Sequence, residues 1–184
     1  MKGLLAGALL AGVCLAASAC MGPPAYRDAR VQIVTAQAVD LGRYQGLWYE
    51  IARYPNSFER GCAGVTAEYA PRPGGSVSVR NTCRRGDDIE VAEGRAHVVP
   101  DSNNSRLKVR FAPAWVPFAE GDYWVLFVDE AYRVALVGAP SGRYLWILAR
   151  EPIIDPQTRD QLEAVARENG FNPAMLENTM QQPQ

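Results

Sequence analysis

The chain has 184 residues, 19 Lys and Arg against 20 Asp and Glu, a formal net charge of −1, and 4 Cys. That length carries one substantial core rather than two ordinary domains. The balanced charge excludes the basic footprint on which nucleic-acid binding depends, because that binding is largely phosphate neutralisation, so no nucleic acid is expected as a partner.

Residues 1–19 read as an export leader: Lys2, the uncharged run GLLAGALLAGVCLAA, then small residues. The run is rich in Ala and Gly and falls short of the roughly 20 apolar residues that cross a bilayer. Ala17-Ser18-Ala19 ahead of Cys20 fits two processing routes. Ordinary small-x-small cleavage releases a soluble chain with an exposed thiol. The same residues resemble a bacterial lipobox, with Ala17 where Leu is usual, in which case Cys20 is acylated and becomes the new N-terminus. Cysteine accounting favours the lipobox: the leader takes Cys14 with it, acylation uses Cys20, and Cys62 and Cys83 remain as a pair. In an oxidising compartment that pair forms a disulfide, the alternative being two buried thiols. Met21, which is not Asp, resembles a signal for sorting to the outer membrane. Residues 20–39, with Pro23 and Pro24, then form a tether, 40–176 the folded unit and 177–184 a flexible tail.

Eight β-rich segments follow, divided by turn residues: 46–53, 63–70, 76–83, 89–97, 105–111, 122–129, 133–139 and 144–150. Leu107, Val109 and Phe111 alternate with Arg106, Lys108 and Arg110, so one face of that strand meets water; the basic face reads as a solvated face or a lipid-headgroup patch. In 122–129 both faces are apolar and need a cover. A helix supplies it, with Asp155 as cap, Pro156 at its first position, Leu162, Val165 and Ala166 as an apolar stripe, and Gly170 at its end. A closed antiparallel sheet with one outer helix is the expected architecture.

The stretches GLWYEIARYPNSFERGCAGVTAEY, RLKVRF and RYLWILAREP resemble the lipocalins, and more specifically the bacterial lipocalins of the outer membrane. The resemblance implies an all-β fold, an eight-stranded antiparallel up-and-down barrel with one C-terminal α-helix packed outside. It also implies a base signature of Gly46, Trp48, Asp129, Tyr132 and Arg150, with the arginine across the indole in a structural role. In such a barrel alternate loops share an end, so residues 54–62, 84–88, 112–121 and 140–143 form the mouth. Phe58, Trp115 and Phe118 lie there, as a packed lid or as a portal for an apolar ligand or bilayer. Glu50, Tyr69, Leu107, Val109, Phe111, Tyr123, Val125 and Trp146 are the expected cavity lining. Trp48 points inward and by parity so do Glu50 and Ala52; the Glu50 carboxylate needs a basic or hydroxyl partner near the base, or contacts a ligand headgroup. An unbulged hairpin turning at 70–75 sets Cys62 opposite Cys83 but pairs Val77 with Glu68 and Val79 with Thr66, against the alternation of Val65, Ala67 and Tyr69. A bulge reconciles the two.

What the resemblance implies is a cup for a hydrophobic small molecule, a fatty acid or a lysophospholipid, held to the outer membrane through Cys20 and facing the periplasm. No cofactor, metal site or catalytic residue is read: His97 stands alone, without HExxH, a Cys/His cluster, GxSxG or a phosphate loop. Three other readings stay open: a lipocalin-fold enzyme acting on a lipid through a free cavity thiol, a soluble periplasmic carrier if Cys20 is not acylated, and a filled, purely structural barrel. Oligomeric state is not determined, a dimer included.

Overall fold

The structure, a computed structural model, describes residues 24–113, 115–116 and 119–181. Cys20 and Phe118 lie outside the described residues. Strands β1 (Gly46–Arg53), β2 (Ala63–Pro71), β3 (Val77–Arg85), β4 (Asp88–Val98), β5 (Arg106–Arg110), β6 (Glu120–Val128), β7 (Val134–Gly138) and β8 (Leu145–Ala149) pair in sequence order, each antiparallel to the next. Pairing of β1 with both β2 and β8 closes the sheet into an eight-stranded barrel, which leaves no edge among these eight strands.

The interior core runs from Trp48 and Tyr44 at one end through Tyr69, Val79, Leu107, Val125 and Val137. The second apolar face of β6, β7 and β8 is covered as expected. Helix α2 (Pro156–Glu168) lays Leu162 and Ala166 against Leu126, Leu136, Ile147 and Ala149. Asp155 caps it by accepting from the Thr158 amide at 2.9 Å.

Three bulges decide which side chains face inward. In β1, Glu50 pairs with Leu148 but Ala52 pairs with Ile147, so Ile51 is the extra residue. The slip turns Ala52 into the outer core beneath α2 and brings Arg53 inward, which corrects the parity expectation for Ala52. In β6 the shift between Val125 and Phe127 sends Phe127 outward and Val128 inward. In β2 the shift between Ala63 and Thr66 separates two registers. Above it Tyr69 pairs with Val79 and Pro71 with Val77, so alternation prevails over the unbulged hairpin. Below it the chain still closes the Cys62–Cys83 disulfide, with the Cα atoms 5.3 Å apart.

The ends of the folded unit differ from expectation. Helix α1 (Leu41–Tyr44), capped by Asp40, sits against the base, and strand β9 (Glu177–Asn178) adds to β1 beside a buried Thr179. Residues 177–181 are therefore docked rather than a free tail: the Gln181 amide donates to the Glu50 and Val65 carbonyls. Nor is 26–39 a free tether. It runs along the outside of the barrel, from Tyr26, whose amide donates to the Gly142 carbonyl, to Val39, whose amide donates to the Asn103 carbonyl.

Candidate functional site: a cavity closed at one end

The closed end is built by the expected signature residues. The Arg150 guanidinium lies 3.9 Å from the centroid of the Trp48 ring. It donates to the carbonyls of Leu47 (2.6 Å), Gln45 (2.7 Å), Arg43 (2.9 Å) and Tyr132 (3.2 Å). One side chain thus satisfies backbone acceptors from two separate segments while stacking on the indole, a contact worth ~0.5–2 kcal/mol by itself. Gly46 has φ +87°, a left-handed backbone conformation that favours glycine at the start of β1. Asp129 accepts from the Arg133 and Val134 amides at 2.6 and 2.8 Å and shapes the turn in which Tyr132 takes φ 57°. The Tyr132 hydroxyl in turn accepts from the Asp40 amide at 2.8 Å, joining the turn to the cap of α1.

Above this base lies a cavity of about 360 Å³. Glu50, Phe58, Tyr69, Val109, Phe111, Tyr123 and Trp146 line it, as expected from the sequence. Leu107 and Val125 do not; they flank a separate void of about 20 Å³ beneath it and belong to the packed floor. Trp115 sits at the rim, 82 % exposed, outside the lining. Val65, Val79, Asn81, Leu148, Glu59 and Tyr144 are lining residues that were not singled out. Val65 was legible from its alternation with Ala67 and Tyr69, but Glu59 lies in a loop without periodicity.

The floor and one wall are polar. Tyr123 hydroxyl bonds those of Tyr44 and Tyr69, each at 2.9 Å, and burial pushes the Tyr69 hydroxyl up to about 12, so these phenols stay protonated. On the wall, the buried Arg53 Nη1 donates to Glu50 Oε1 at 3.1 Å and to Thr179 Oγ1 at 3.0 Å, while Nη2 donates to the Glu59 carbonyl at 2.9 Å. Thr179 also donates to Glu50, and Trp146 Nε1 donates to Glu59 Oε2 at 3.3 Å. Glu50 therefore has both a basic and a hydroxyl partner, but on the wall rather than near the base. Burial first, and then the Glu59 charge, push its carboxyl up to about 8. Asn81 Oδ1, buried without a protein partner, adds an acceptor to the lining.

The basic face of β5 is paired on the barrel exterior: Lys108 with Asp122 at 2.7 Å, Arg110 with Glu120 at 3.4 Å, and Arg106 over the Trp124 ring at 4.5 Å. It belongs to the surface and not to the cavity. His97 is exposed on the outside of β4, and Cys62 and Cys83 are bonded to each other. Among the described residues no group of His, Cys, Asp and Glu is arranged to hold a metal ion.

The family model of the lipocalin-like domain matches residues 39–181. This chain is a lipocalin. Over 155 residues it is 36 % identical to temperature-induced lipocalin-1 of Arabidopsis thaliana, covering 82 % of this chain and 83 % of that one. Over 134 residues it is 42 % identical to the outer membrane lipoprotein Blc of Citrobacter freundii, covering 72 % and 73 %. Among solved structures, insecticyanin of the tobacco hornworm Manduca sexta superposes with a TM-score of 0.65 at 20 % identity, covering 85 % of this lipocalin and 86 % of that chain, a likeness of fold.

Proposed function

We propose that this lipocalin is a lipid-anchored protein of the outer membrane, facing the periplasm, that holds one hydrophobic molecule of the fatty-acid or lysophospholipid class for storage or transport. The observation that carries the reading is the cavity itself: about 360 Å³, lined by Val65, Val79, Val109, Phe111, Leu148 and aromatic rings over a closed base. Volumes of this order accommodate small ligands, and burying an acyl chain there yields about 25 cal/mol per Å² of apolar surface. Polar groups at the floor and wall give a headgroup or carboxyl fixed donors and acceptors. A filled structural barrel would lack such a space.

The anchor rests on the leader, on Cys20 and on the Blc relative, an outer membrane lipoprotein by name. The disulfide supports the cysteine accounting, since it leaves Cys20 as the one unassigned cysteine after the leader. Binding is favoured over catalysis because the lining among the described residues is largely apolar and aromatic, Cys62 and Cys83 are joined in a disulfide elsewhere, and His97 is exposed on the outside of β4. Native mass spectrometry of protein extracted from its own membrane tests both parts. The expected result is a chain beginning at Cys20 with added acyl mass and one retained lipid. Repeated recovery of empty, unmodified chain overturns the reading.

A further inference from the structure

The N-terminal segment does more than cover the barrel wall: its direction determines which end of the cup the anchor leaves from. Tyr26 is held at the mouth, where its amide donates to the Gly142 carbonyl in the β7–β8 turn and its carbonyl accepts from the Tyr54 hydroxyl at 3.1 Å. Arg27 bridges Phe171 and packs against Gly142, where an added Cβ would meet Arg27 Cβ at 2.5 Å. From there the chain runs to the base, which it reaches at Val39 and at Asp40 against Tyr132. Residues 21–25 alone separate Cys20 from this docked point. Six Cα–Cα steps span at most about 20 Å, which is less than the 25 intervening residues before β1 would reach if free.

The rim offers a matching surface. The exposed Phe and Trp side chains among the described residues, Phe58 (55 %), Phe111 (46 %) and Trp115 (82 %), all lie at the mouth. Phe58 and Phe111 also line the cavity, so the apolar rim is continuous with the apolar interior. Trp and Phe at the edge of an apolar surface suit the boundary between headgroups and acyl chains.

We infer that this lipocalin sits mouth-down on the bilayer, held there by a short leash from Cys20 and by Phe58, Phe111 and Trp115 in the lipid interface, so that its cavity exchanges ligand with the membrane directly. The leash rests on the acylation proposed above; the rim does not. Two measurements separate them. First, the full chain lacking the leader and carrying Cys20→Ser is mixed with phosphatidylcholine vesicles containing brominated acyl chains. Tryptophan emission should be quenched, Trp115→Phe should remove most of that quenching, and Phe58→Ser with Trp115→Ser should weaken partitioning at least tenfold. Absence of quenching overturns the rim contact whatever the state of Cys20. Second, the membrane-extracted chain, its N-terminus checked by mass, is reconstituted in phosphatidylcholine vesicles and followed by hydrogen exchange. Slowed exchange is expected in the mouth turns 85–88 and 140–143, with the base turns 99–104 and 129–133 unchanged. Protection at the base, or equal exchange at both ends in an acylated chain, overturns the orientation while leaving the anchor intact; an unacylated Cys20 removes the leash and the anchor together.

Discussion

Arg150 and Trp48 meet at 3.9 Å across the floor of the barrel, and the same guanidinium donates to four backbone carbonyls. The pair joins the end of the last strand of the barrel to the first, at the closed end of the cavity. Its role is to keep the base closed, so substitutions there should act on stability before they act on binding.

Arg150→Lys keeps the charge but loses the planar fork that serves several carbonyls at once. A loss of about 2 kcal/mol is expected for Lys, and about 3 kcal/mol for Ala, in urea unfolding monitored by circular dichroism. A Lys variant as stable as the parent would show that charge alone closes the base.

The Cys62–Cys83 disulfide spans 21 positions of sequence and ties the loop after β1 to the end of β3. Cross-linking a loop of that size restricts the unfolded chain by about 3 kcal/mol. The double substitution Cys62→Ala, Cys83→Ala should lower the unfolding free energy by roughly that amount. Because the bond lies at the mouth, its removal should also speed exchange of the amides in 57–66 more than those of the base.

Glu50 ionises near 4.5 in an ordinary setting, but in the fold it keeps its proton up to about 8. Between those two values the folded chain holds a proton that the unfolded chain has released. The contribution of neutral Glu50 to stability is therefore complete below about pH 4.5 and is lost as pH rises toward 8. Glu50→Gln, fixed in the neutral form, should flatten the fall in stability over that range. Chemical unfolding at a series of pH values checks this; equal slopes for the two proteins would show that Glu50 ionises normally in the fold.

Val109 lines both the main cavity and the small void beneath it. Val109→Phe should fill the lower cavity and weaken binding of a fluorescent long-chain fatty acid at least tenfold, with overpacking costing no more than about 1–3 kcal/mol of stability. Unchanged affinity in a folded variant would place the acyl chain elsewhere.

The strands, the outer helix and the meeting of Trp48, the 129–132 turn and Arg150 were legible in the sequence. The strands and the helix rest on local periods and on a capping Asp and Pro, which act over a few residues, whereas the meeting of the signature residues is what the lipocalin resemblance and the parity of the loops imply. The cavity was legible in part. Tyr69, Val109, Phe111, Tyr123 and Trp146 follow from alternation, but Leu107 and Val125 are just as regular and fall below the cavity, because depth along the barrel axis leaves no mark on a period of two.

What the sequence by itself determined is the sheet and its cover, since each follows from which face of a short segment avoids water, while the closed end is what the lipocalin resemblance and the parity of the loops imply. What only the tertiary structure decided is the identity of the groups that meet inside and the direction of the chain outside. A single extra residue at Ile51 turns Ala52 out and Arg53 in, and so supplies the partner that a buried Glu50 requires. The docking of Tyr26 at Gly142 likewise depends on residues 116 positions apart meeting once the barrel has closed. Bulges and long-range docking are settled by closure of the whole barrel, and no local pattern announces them.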